Sequence, residues 1–327
     1  MTEKQIGILG TGAYVPEAVL TNQDLETMVE TTAQWILDRS GIEERRIAAP
    51  DEDTVTLAVA AGRQALQIAG IAPEQLSYII LGTNTPPHFF PAGAIRVQEE
   101  LGIGGQAAAF DLQAGCCGFN YGLYVGERLV APEGKYALII GSDVCSRFTD
   151  WTDRSTCVLF GDGAGAAVIG PGGSRRITKS FIASKLNENL WCDTAFDKEV
   201  SPFLPPQSHA RRYFLQMDGP EIFKFAVNAV KVSIPRILEM AEMTREEIDY
   251  LIIHQGNYRI LEASARFARV PMEKVFINIH RYGNTSAASV PIALHEALED
   301  GKIRKGDKVL LISFGAGATW GATLLEC

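Results

Sequence analysis

The sequence lacks the features that mark membrane, secreted and nucleic-acid-binding proteins. No apolar run approaches the roughly 18 residues that a membrane-spanning helix needs. The N-terminus carries neither the basic start nor the apolar stretch and small-residue cleavage site of a signal peptide. The formal net charge of −9 argues against a general nucleic-acid surface, although it leaves room for a local basic patch. We therefore expect a cytoplasmic protein that binds neither membrane nor nucleic acid.

Histidine is scarce, and the cysteines form no metal-binding pairs. The chain has five histidines and six cysteines, none of the cysteines stands in a C-x-x-C pair, and no histidine cluster accompanies them. A zinc site is therefore not expected. In a reducing cytoplasm the cysteines are most simply free thiols.

An internal repeat runs through the chain. Residues 69–81 read AGIAPEQLSYIIL and residues 241–253 read AEMTREEIDYLII, so that Tyr78 and Tyr250 are 172 positions apart. The same offset places the apolar run YALII on KVLLI in the second half. The pattern predicts a duplicated α/β domain, with chance similarity between two α/β segments as the alternative. A Gly-Pro-Gly-Gly breaker cluster then predicts halves of residues 1–172 and 173–327.

Short apolar runs alternate with longer helical stretches. Continuous Val, Ile and Leu runs are typical of strands buried on both faces, so we expect mixed sheets covered by helices. The predicted strands are Tyr78–Leu81, Ala137–Ile140, Leu251–Ile253 and Val309–Ile312, and the predicted helices are Thr54–Ala69, Gly118–Val130, Glu221–Met240, Arg259–Ala268 and Ser286–Glu299. One segment, Lys185–Tyr213, has no clear period, and its prolines and aromatic residues predict a packed functional cover.

A cysteine pair occupies a predicted strand-to-helix turn. The segment FDLQAGCCGF ends a strand near Leu112 and starts a helix near Gly118, which places Cys116 and Cys117 in the turn. Unpaired N–H groups and the positive end of the helix dipole stabilise a thiolate there and lower the thiol pKa. The turn also exposes sulfur to a reacting carbonyl. The alternative is a pair of buried cysteines that act as small hydrophobic residues.

Two further polar residues follow predicted strands or precede predicted helices in the second half. His254 closes a strand, at the edge where open α/β sheets place ligands, and Asn284 in YGNTSAAS directly precedes a helix. Read alone, His254 is a polar loop residue and Asn284 an ordinary helix cap. The repeat maps Cys116 onto Ala288, close to Asn284, so we expect the three side chains to converge. The glycine-rich turn SFGAGATWG can aim a backbone N–H at an oxyanion, or serve as a simple tight turn.

Eight segments spread over nearly the whole chain form a recognisable set: GILGTGAYVPEAVLTNQDL, WILDRSGIEERRI, FDLQAGCCGF, DRSTCVLFGDGAGAAVIG, GPEIFKFAV, HQGNYRI, YGNTSAAS and FGAGATWG. With these segments the chain resembles the β-ketoacyl-acyl-carrier-protein synthase III family of condensing enzymes. The resemblance implies a thiolase-like fold and decarboxylative Claisen condensation of acyl-CoA with malonyl-acyl-carrier protein, which initiates fatty-acid synthesis. It also implies a cytoplasmic homodimer without a metal or a resident cofactor, with coenzyme A thioesters as substrates.

The resemblance assigns roles to individual positions. Cys116 is the expected nucleophile, and His254 and Asn284 are the expected decarboxylation pair. The expected oxyanion donors are the backbone N–H groups of Cys116 and Ala316. Coenzyme A is expected to contact Trp35, Arg39 and Arg154, and Phe90 is expected to reach the acyl pocket of a second subunit.

A basic face for an acidic carrier protein is expected despite the overall negative charge. Arg259 and Arg266 lie seven positions apart on one predicted helix, hence on the same face. The resemblance adds Lys224 to this face. The alternative is a solvated helix surface.

Three positions depart from the family pattern. Cys117 stands where a small residue is usual, Gly256 where alanine is common, and Pro220 where an asparagine helps to bind coenzyme A. These departures concern acyl-chain specificity and the thioester carriers, and leave the chemistry alone. The rival functions are a specialised-metabolism condensing enzyme, a degradative thiolase, which would need a second catalytic cysteine in the FGAGATWG turn, and a non-catalytic carrier-binding scaffold.

Overall fold

The computed structural model describes residues 4–192 and 213–327 as one mixed α/β structure. The strands are β1 (Ile6–Tyr14), β2 (Ala18–Thr21), β3 (Glu44–Ile47), β4 (Leu76–Gly82), β5 (Ala108–Leu112), β6 (Tyr136–Val144), β7 (Asp162–Pro171), β8 (Arg175–Asn187), β9 (Leu190–Trp191), β10 (Gln216–Met217), β11 (Tyr250–Ile253), β12 (Lys308–Gly315) and β13 (Gly317–Glu326). The helices are α1 (Asn22–Glu26), α2 (Ala33–Ser40), α3 (Thr54–Ala69), α4 (Gly93–Glu100), α5 (Gly118–Val130), α6 (Arg154–Cys157), α7 (Gly219–Ala241), α8 (Tyr258–Ala268), α9 (Ile279–Tyr282) and α10 (Ser289–Glu299).

The long helices begin and end at residues whose side chains suit those positions. The Asp53 side chain accepts hydrogen bonds from two amides of the first turn of α3, and Asp218 accepts from the first turn of α7. Acidic caps satisfy amides that have no partner within the helix and complement its dipole. Gly70 ends α3 with a φ of 64°. These local signals account for the accurate prediction of α3 from sequence.

The two halves of the chain build strand groups of the same order. The first half arranges its strands as β1-β7-β6-β4-β5, and the second half as β8-β13-β12-β11. In each group the first three strands are antiparallel neighbours, and the next pair, β6 with β4 or β12 with β11, is parallel. A single parallel bridge from Leu251 to Val275 stands where β5 stands in the first group.

The strand groups are covered by helices on both faces. One apolar cluster joins α5 and α10 to strands of both groups, through residues such as Phe119, Leu123, Leu294, Ile139 and Leu311. A second cluster packs α3 and α4 on the first group, and a third packs α7 and α8 on the second group. Helices α5 and α10 therefore form the central layer of a five-layer core. The predicted mixed sheets covered by helices are confirmed.

The two groups also join edge to edge. Strand β1 pairs with β8 through only two residue pairs, Gly7 with Arg176 and Ile8 with Arg175, and this link makes one nine-stranded sheet. The turn between β7 and β8 contains Gly172, with a φ of 83°. The division into residues 1–172 and 173–327 stays a prediction, which the matching strand orders support.

One predicted helix begins later than expected. Residues 286–288 form a separate 3₁₀ turn, and α10 starts only at Ser289. Ser286 adopts a φ of 51°, in the left-handed region, so the α-helix cannot run through it.

The sequence predicts a packed functional cover over Lys185–Tyr213, a segment that includes residues 193–212. Its central prolines and Phe196 and Phe203 lie outside the described residues, so the predicted cover stays a prediction. The flanking strands β9 and β10 pair antiparallel, Trp191 with Gln216 and Leu190 with Met217.

Among the helices of the described residues, none is long and apolar enough to cross a membrane.

Candidate active site

Cys116 lies in the turn between β5 and α5, where two backbone segments meet. Gly115 has a φ of 54°, and a Cβ on it would lie 2.6 Å from the amide nitrogen of Ala316. A Cβ on Gly315 would lie 2.4 Å from the amide nitrogen of Cys116. Only glycines allow this close approach, which places the amides of Cys116 and Ala316 in adjacent backbone segments. Among the turn and loop hydrogen bonds of the described residues, neither amide serves as a donor.

His254 lies directly beyond the end of β11 and is 2% exposed. Its backbone N–H donates to Ile312 O at 2.9 Å, which extends the pairing with β12 by one residue. The Phe314 ring packs edge-on against the imidazole, with ring centroids 5.1 Å apart. Burial lowers the pKa of His254 to about 3, so the imidazole is neutral at physiological pH.

Ser289 determines how the imidazole of His254 is oriented. Its Oγ lies 2.6 Å from His254 Nδ1 and accepts a hydrogen bond from the backbone N–H of Gln255 at 3.1 Å. With that N–H as a donor, the hydroxyl proton is free to point at Nδ1. When the hydroxyl donates to Nδ1, the single imidazole proton of the neutral ring is on Nε2.

Asn284 is held by main-chain pairing beside Phe160. Its N–H donates to Leu159 O at 2.8 Å, and its carbonyl accepts from Gly161 N at 3.1 Å. The side-chain Oδ1 accepts from the backbone N–H of Ser286 at 2.9 Å. Because that neighbour is a donor, oxygen must face it, and the Nδ2 donor points away from this contact.

Cys116, His254 and Asn284 open onto one cavity of about 360 Å³, as the repeat predicted from sequence. Apolar and aromatic side chains supply most of its remaining wall, with arginines at the outer end: Arg39, Leu159, Phe160, Leu190, Met217, Gly219, Pro220, Ile222, Phe223, Phe225, Gly256, Asn257, Arg259, Ile260, Phe314 and Gly315. A largely apolar cavity with a few fixed polar groups is the usual form of a small-molecule site.

The environment of the Cys116 thiol differs from the sequence expectation. Burial raises its pKa to about 12, whereas the helix terminus alone predicts a lowered value. Desolvation outweighs the dipole because the thiol is only 8% exposed. The Ser286 hydroxyl, which donates to Sγ at 3.4 Å, partly offsets the rise in pKa.

Comparison with known proteins identifies the family. The 3-oxoacyl-[acyl-carrier-protein (ACP)] synthase III profile matches residues 110–187, and the profile of the C-terminal part of the same enzymes matches residues 238–327. A β-ketoacyl-[acyl-carrier-protein] synthase III from Geobacillus kaustophilus is 46% identical over 98% of each chain. This chain belongs to the 3-oxoacyl-[acyl-carrier-protein] synthase III family.

Solved structures of the family share the fold. The synthase III from Aquifex aeolicus superimposes with a TM-score of 0.90 at 42% identity, covering 98% of this chain and 100% of that one. A priming β-ketosynthase from a polyketide biosynthetic pathway gives a TM-score of 0.92 at 32% identity, covering 99% of this chain and 96% of that one. The fold is therefore the thiolase-like fold of these condensing enzymes.

The extra cysteine of this synthase III chain faces away from the cavity. Cys117 is fully buried and faces Ser313 and Thr319 of the β12–β13 hairpin. Burial raises its pKa to about 12, and those two side chains offset part of the rise. Cys117 is not among the cavity-lining residues, whereas Cys116 is.

The residues expected to contact coenzyme A cluster on α2 and α6. The Arg39 and Arg154 guanidinium groups lie 5.7 Å and 4.9 Å from the centroid of the Trp35 ring. Arg154 also donates to Glu30 O at 2.8 Å. A flat base inserted between two planar groups separates them by roughly 7 Å, twice a van der Waals contact. The Trp35–Arg154 pair therefore has to open before it can sandwich an adenine.

The residues expected to contact other proteins are on the surface, at separate places. Phe90 is 85% exposed and does not line the cavity of its own chain. Arg259 lines the outer end of the cavity, and Arg266 is exposed farther along α8. Lys224 on α7 forms an ion pair with Glu221 at 2.6 Å, which reduces its contribution to a basic face.

The sequence analysis missed four polar residues around the three candidate side chains: Ser286, Ser289, Asn84 and Asp143. Asn84 follows β4, and Asp143 lies at the carboxyl end of β6, which pairs parallel with β4. Polar residues at the carboxyl ends of parallel strands were the available signal. The two serines stand within YGNTSAAS, and only their positions in space separate them from ordinary cap residues.

Proposed function

We propose that this chain is a β-ketoacyl-acyl-carrier-protein synthase III that transfers an acyl group from acyl-CoA to Cys116 and condenses it with malonyl-acyl-carrier protein. The observation that carries the proposal is the shared cavity of Cys116, His254 and Asn284, in which hydrogen bonds fix the orientation of the two polar side chains. Relatives of the family support the same reaction and its place at the start of fatty-acid synthesis.

In the first step, the Cys116 sulfur attacks the thioester carbonyl of acyl-CoA. A carbon–sulfur bond forms to Cys116, and the negative charge moves onto the carbonyl oxygen. The amides of Cys116 and Ala316 are the proposed donors to this oxyanion, since their segments lie in backbone contact. Collapse of the intermediate expels coenzyme A as the leaving thiolate, which takes up the proton that the Cys116 thiol loses.

In the second step, the malonyl thioester oxygen accepts two hydrogen bonds. The donors are His254 Nε2–H and Asn284 Nδ2–H, because the partner groups Ser289 and Ser286 occupy the opposite ends of each side chain. The bond to the carboxylate breaks, carbon dioxide leaves, and its electron pair forms an enolate held by these donors. The enolate carbon attacks the acyl-cysteine, and the Cys116 thiolate is released.

The substrates fit the shape and charge of the cavity. Its apolar walls suit an acyl chain and a pantetheine arm, and Arg39 and Arg259 at the outer end suit phosphate groups. Trp35 and Arg154 are proposed to hold the adenine, and Lys224, Arg259 and Arg266 to contact the carrier protein. The exposed Phe90 supports a homodimer in which this ring reaches the partner's acyl pocket.

Mass spectrometry of the acyl-enzyme tests the proposal directly. The intact protein is mixed with a panel of acyl-CoA primers, and a mass increase equal to the acyl group on Cys116 is expected. Addition of malonyl-acyl-carrier protein should discharge the acyl group as a β-ketoacyl-carrier product. A protein that binds carrier protein but never gains acyl mass would be a scaffold, which would overturn the proposal.

A priming ketosynthase of specialised metabolism is the second candidate. It is favoured by the TM-score of 0.92 to the polyketide priming enzyme and by Pro220, which stands where the family usually has a coenzyme A-binding asparagine. The same primer panel separates the two, because the acyl chain accepted fastest identifies the pathway that supplies it. The competing acceptor, malonyl-CoA, is tested beside malonyl-acyl-carrier protein.

A further inference from the structure

We propose that Ser286 is a further catalytic residue, whose hydroxyl donates a hydrogen bond to the sulfur of Cys116 and is held in that orientation by Asn84 and Asp143. The assignment rests on the proposed function of Cys116 as the nucleophile. In this proposal the Ser286 hydroxyl stabilises the Cys116 thiolate. The oxyanion and the enolate are stabilised by other groups.

Ser286 contacts the reacting atom from a strained backbone position. Its Oγ lies 3.4 Å from Cys116 Sγ, and the residue is 4% exposed. Its φ of 51° lies in the left-handed region, which a serine adopts at an energetic cost. The chain keeps a side chain here although glycine would fit the backbone better. The hydroxyl is the group that glycine cannot supply.

The direction of the Ser286 hydroxyl follows from Asn84. The Asn84 amide nitrogen lies 3.0 Å from Asp143 Oδ2 and 3.2 Å from Ser286 Oγ. A carboxylate only accepts, so nitrogen must face it, and the second amide hydrogen points at the serine oxygen. Ser286 Oγ therefore accepts from Asn84 and keeps its own hydrogen for a thiol. It donates to Cys116 Sγ at 3.4 Å, and the Cys145 thiol also lies within hydrogen-bond reach of this hydroxyl.

The Asp143 carboxylate accepts hydrogen bonds on both sides of Ser286, from Asn84 and from the backbone next to Ser286. Asp143 is fully buried at the end of β6, and its carboxylate accepts from the hydroxyls of Thr83 and Thr85 and from the backbone of Asn84. It also accepts from the backbone N–H of Ala287 at 3.1 Å, beside Ser286. The carboxylate thus fixes the end of β4 against the turn that carries Ser286. Asn84 and Asp143 act through Ser286 and are positioning residues.

The charges that surround the sulfur make such a donor useful. Burial and the nearby Asp143 carboxylate both raise the pKa of Cys116. Cys117 and Cys145, whose thiols are themselves protonated because burial raises their pKa values, and the neutral His254 are the other titratable groups around it. None of these supplies a positive charge to a thiolate. A hydrogen bond to a charged group is worth roughly ten- to hundredfold in the thiolate population.

The test is the rate of iodoacetamide alkylation of Cys116 between pH 7 and pH 9, measured in a Cys117→Ala background by peptide mass spectrometry. Ser286→Ala and Ser286→Gly are both expected to raise the thiol pKa by about one to two pH units. The alkylation rate should then fall about three- to twelvefold, since a thiolate of higher pKa is also the stronger nucleophile. Asn84→Ala should move the rate in the same direction by less.

The glycine variant separates a hydroxyl role from a backbone role. Glycine accepts the left-handed backbone without strain, so a purely structural serine would leave Ser286→Gly at the rate of the unsubstituted protein. That result, or unchanged rates in both variants, would overturn the proposal. Alkylation needs neither acyl-CoA nor carrier protein, so this outcome is independent of the acyl-enzyme experiment. Failure of the proposed function would instead appear in the acyl-enzyme experiment, where the unsubstituted protein would gain no acyl mass.

Discussion

The inner and outer ends of the cavity are built in different ways. At the inner end, Cys116, His254 and Asn284 are at most 8% exposed. Hydrogen bonds hold His254 and Asn284 in place, and the Ser286 hydroxyl donates to the sulfur of Cys116. At the outer end, Arg39 and Arg259 are exposed and contact the chain mainly through carbonyl oxygens and an aromatic face.

The difference separates chemistry from recognition. Donors that stabilise a developing enolate act best when they need not reorganise, so the inner end is fixed before substrate arrives. Arginines that recognise a phosphate or an acidic partner can adjust after contact, and their effect is screened by salt. Substitutions at the inner end should therefore change rates by orders of magnitude. Substitutions at the outer end should change apparent affinity by a few-fold.

The largest expected effect is the loss of acylation in Cys116→Ala. Without the sulfur no acyl-enzyme can form, so mass spectrometry after mixing with acyl-CoA should show no added mass. Cys117→Ala is the matched control, because Cys117 is the adjacent buried cysteine but faces the β12–β13 hairpin. It should retain acylation and most condensation activity. Preferential acylation of Cys117 would reverse the assignment.

The second effect separates the two half-reactions at the inner end. Asn284→Ala removes one donor to the enolate and should reduce condensation with malonyl-carrier protein by about 10²–10³. Acyl-enzyme formation should persist, because the side chain of Asn284 carries no charge and its amide donor acts on the other substrate. Asn284→Asp keeps the acceptor for the Ser286 N–H but lacks the donor, and should lose condensation similarly. Loss of acylation with retained decarboxylation would contradict this division of roles.

The sequence predicted the inner end better than the groups that support it. The end of the strand before Cys116 and both limits of the helix after it were predicted as observed, because a small-residue turn between an apolar run and a helical run is a strong local signal. The convergence of Cys116, His254 and Asn284 followed from the internal repeat. Duplicated halves place equivalent helix starts side by side at the centre of the molecule.

The hydrogen-bond partners depend on packing that periodicity does not encode. Ser289 meets His254 although 35 positions separate them, and Asn84 meets Ser286 across 202 positions. The raised pKa of Cys116 was also missed, because burial of the turn outweighs the helix dipole that the sequence reveals. The coenzyme A residues and Phe90 came from family resemblance and had no signal in spacing or composition.

The third effect concerns the pH dependence of stability at the inner end. Burial lowers the pKa of His254 to about 3 from 6.5, so the folded protein binds this proton less readily than the unfolded chain. Its contribution to stability is complete above pH 6.5 and is lost as the pH falls toward 3, by up to about 1.4 kcal/mol per pH unit. In denaturant titrations from pH 7 to pH 4, His254→Gln should show a correspondingly shallower decline. Parallel curves for both proteins would mean that His254 is protonated in the folded state.

The smallest effect tests the outer end. Arg259 lines the cavity and donates from its guanidinium to the backbone carbonyl of Asp38 at 2.9 Å, an exposed contact that does not neutralise its charge. Arg259→Glu should raise the KM for malonyl-carrier protein by roughly three- to tenfold and weaken its salt dependence, with kcat changed little, because the charge steers association. Lys305→Glu makes the same change in net charge at an exposed position that does not line the cavity, and should leave KM unaltered. An equal rise in both variants would assign the effect to total charge, whereas a fall in kcat for Arg259→Glu would place this arginine with the chemistry of the inner end.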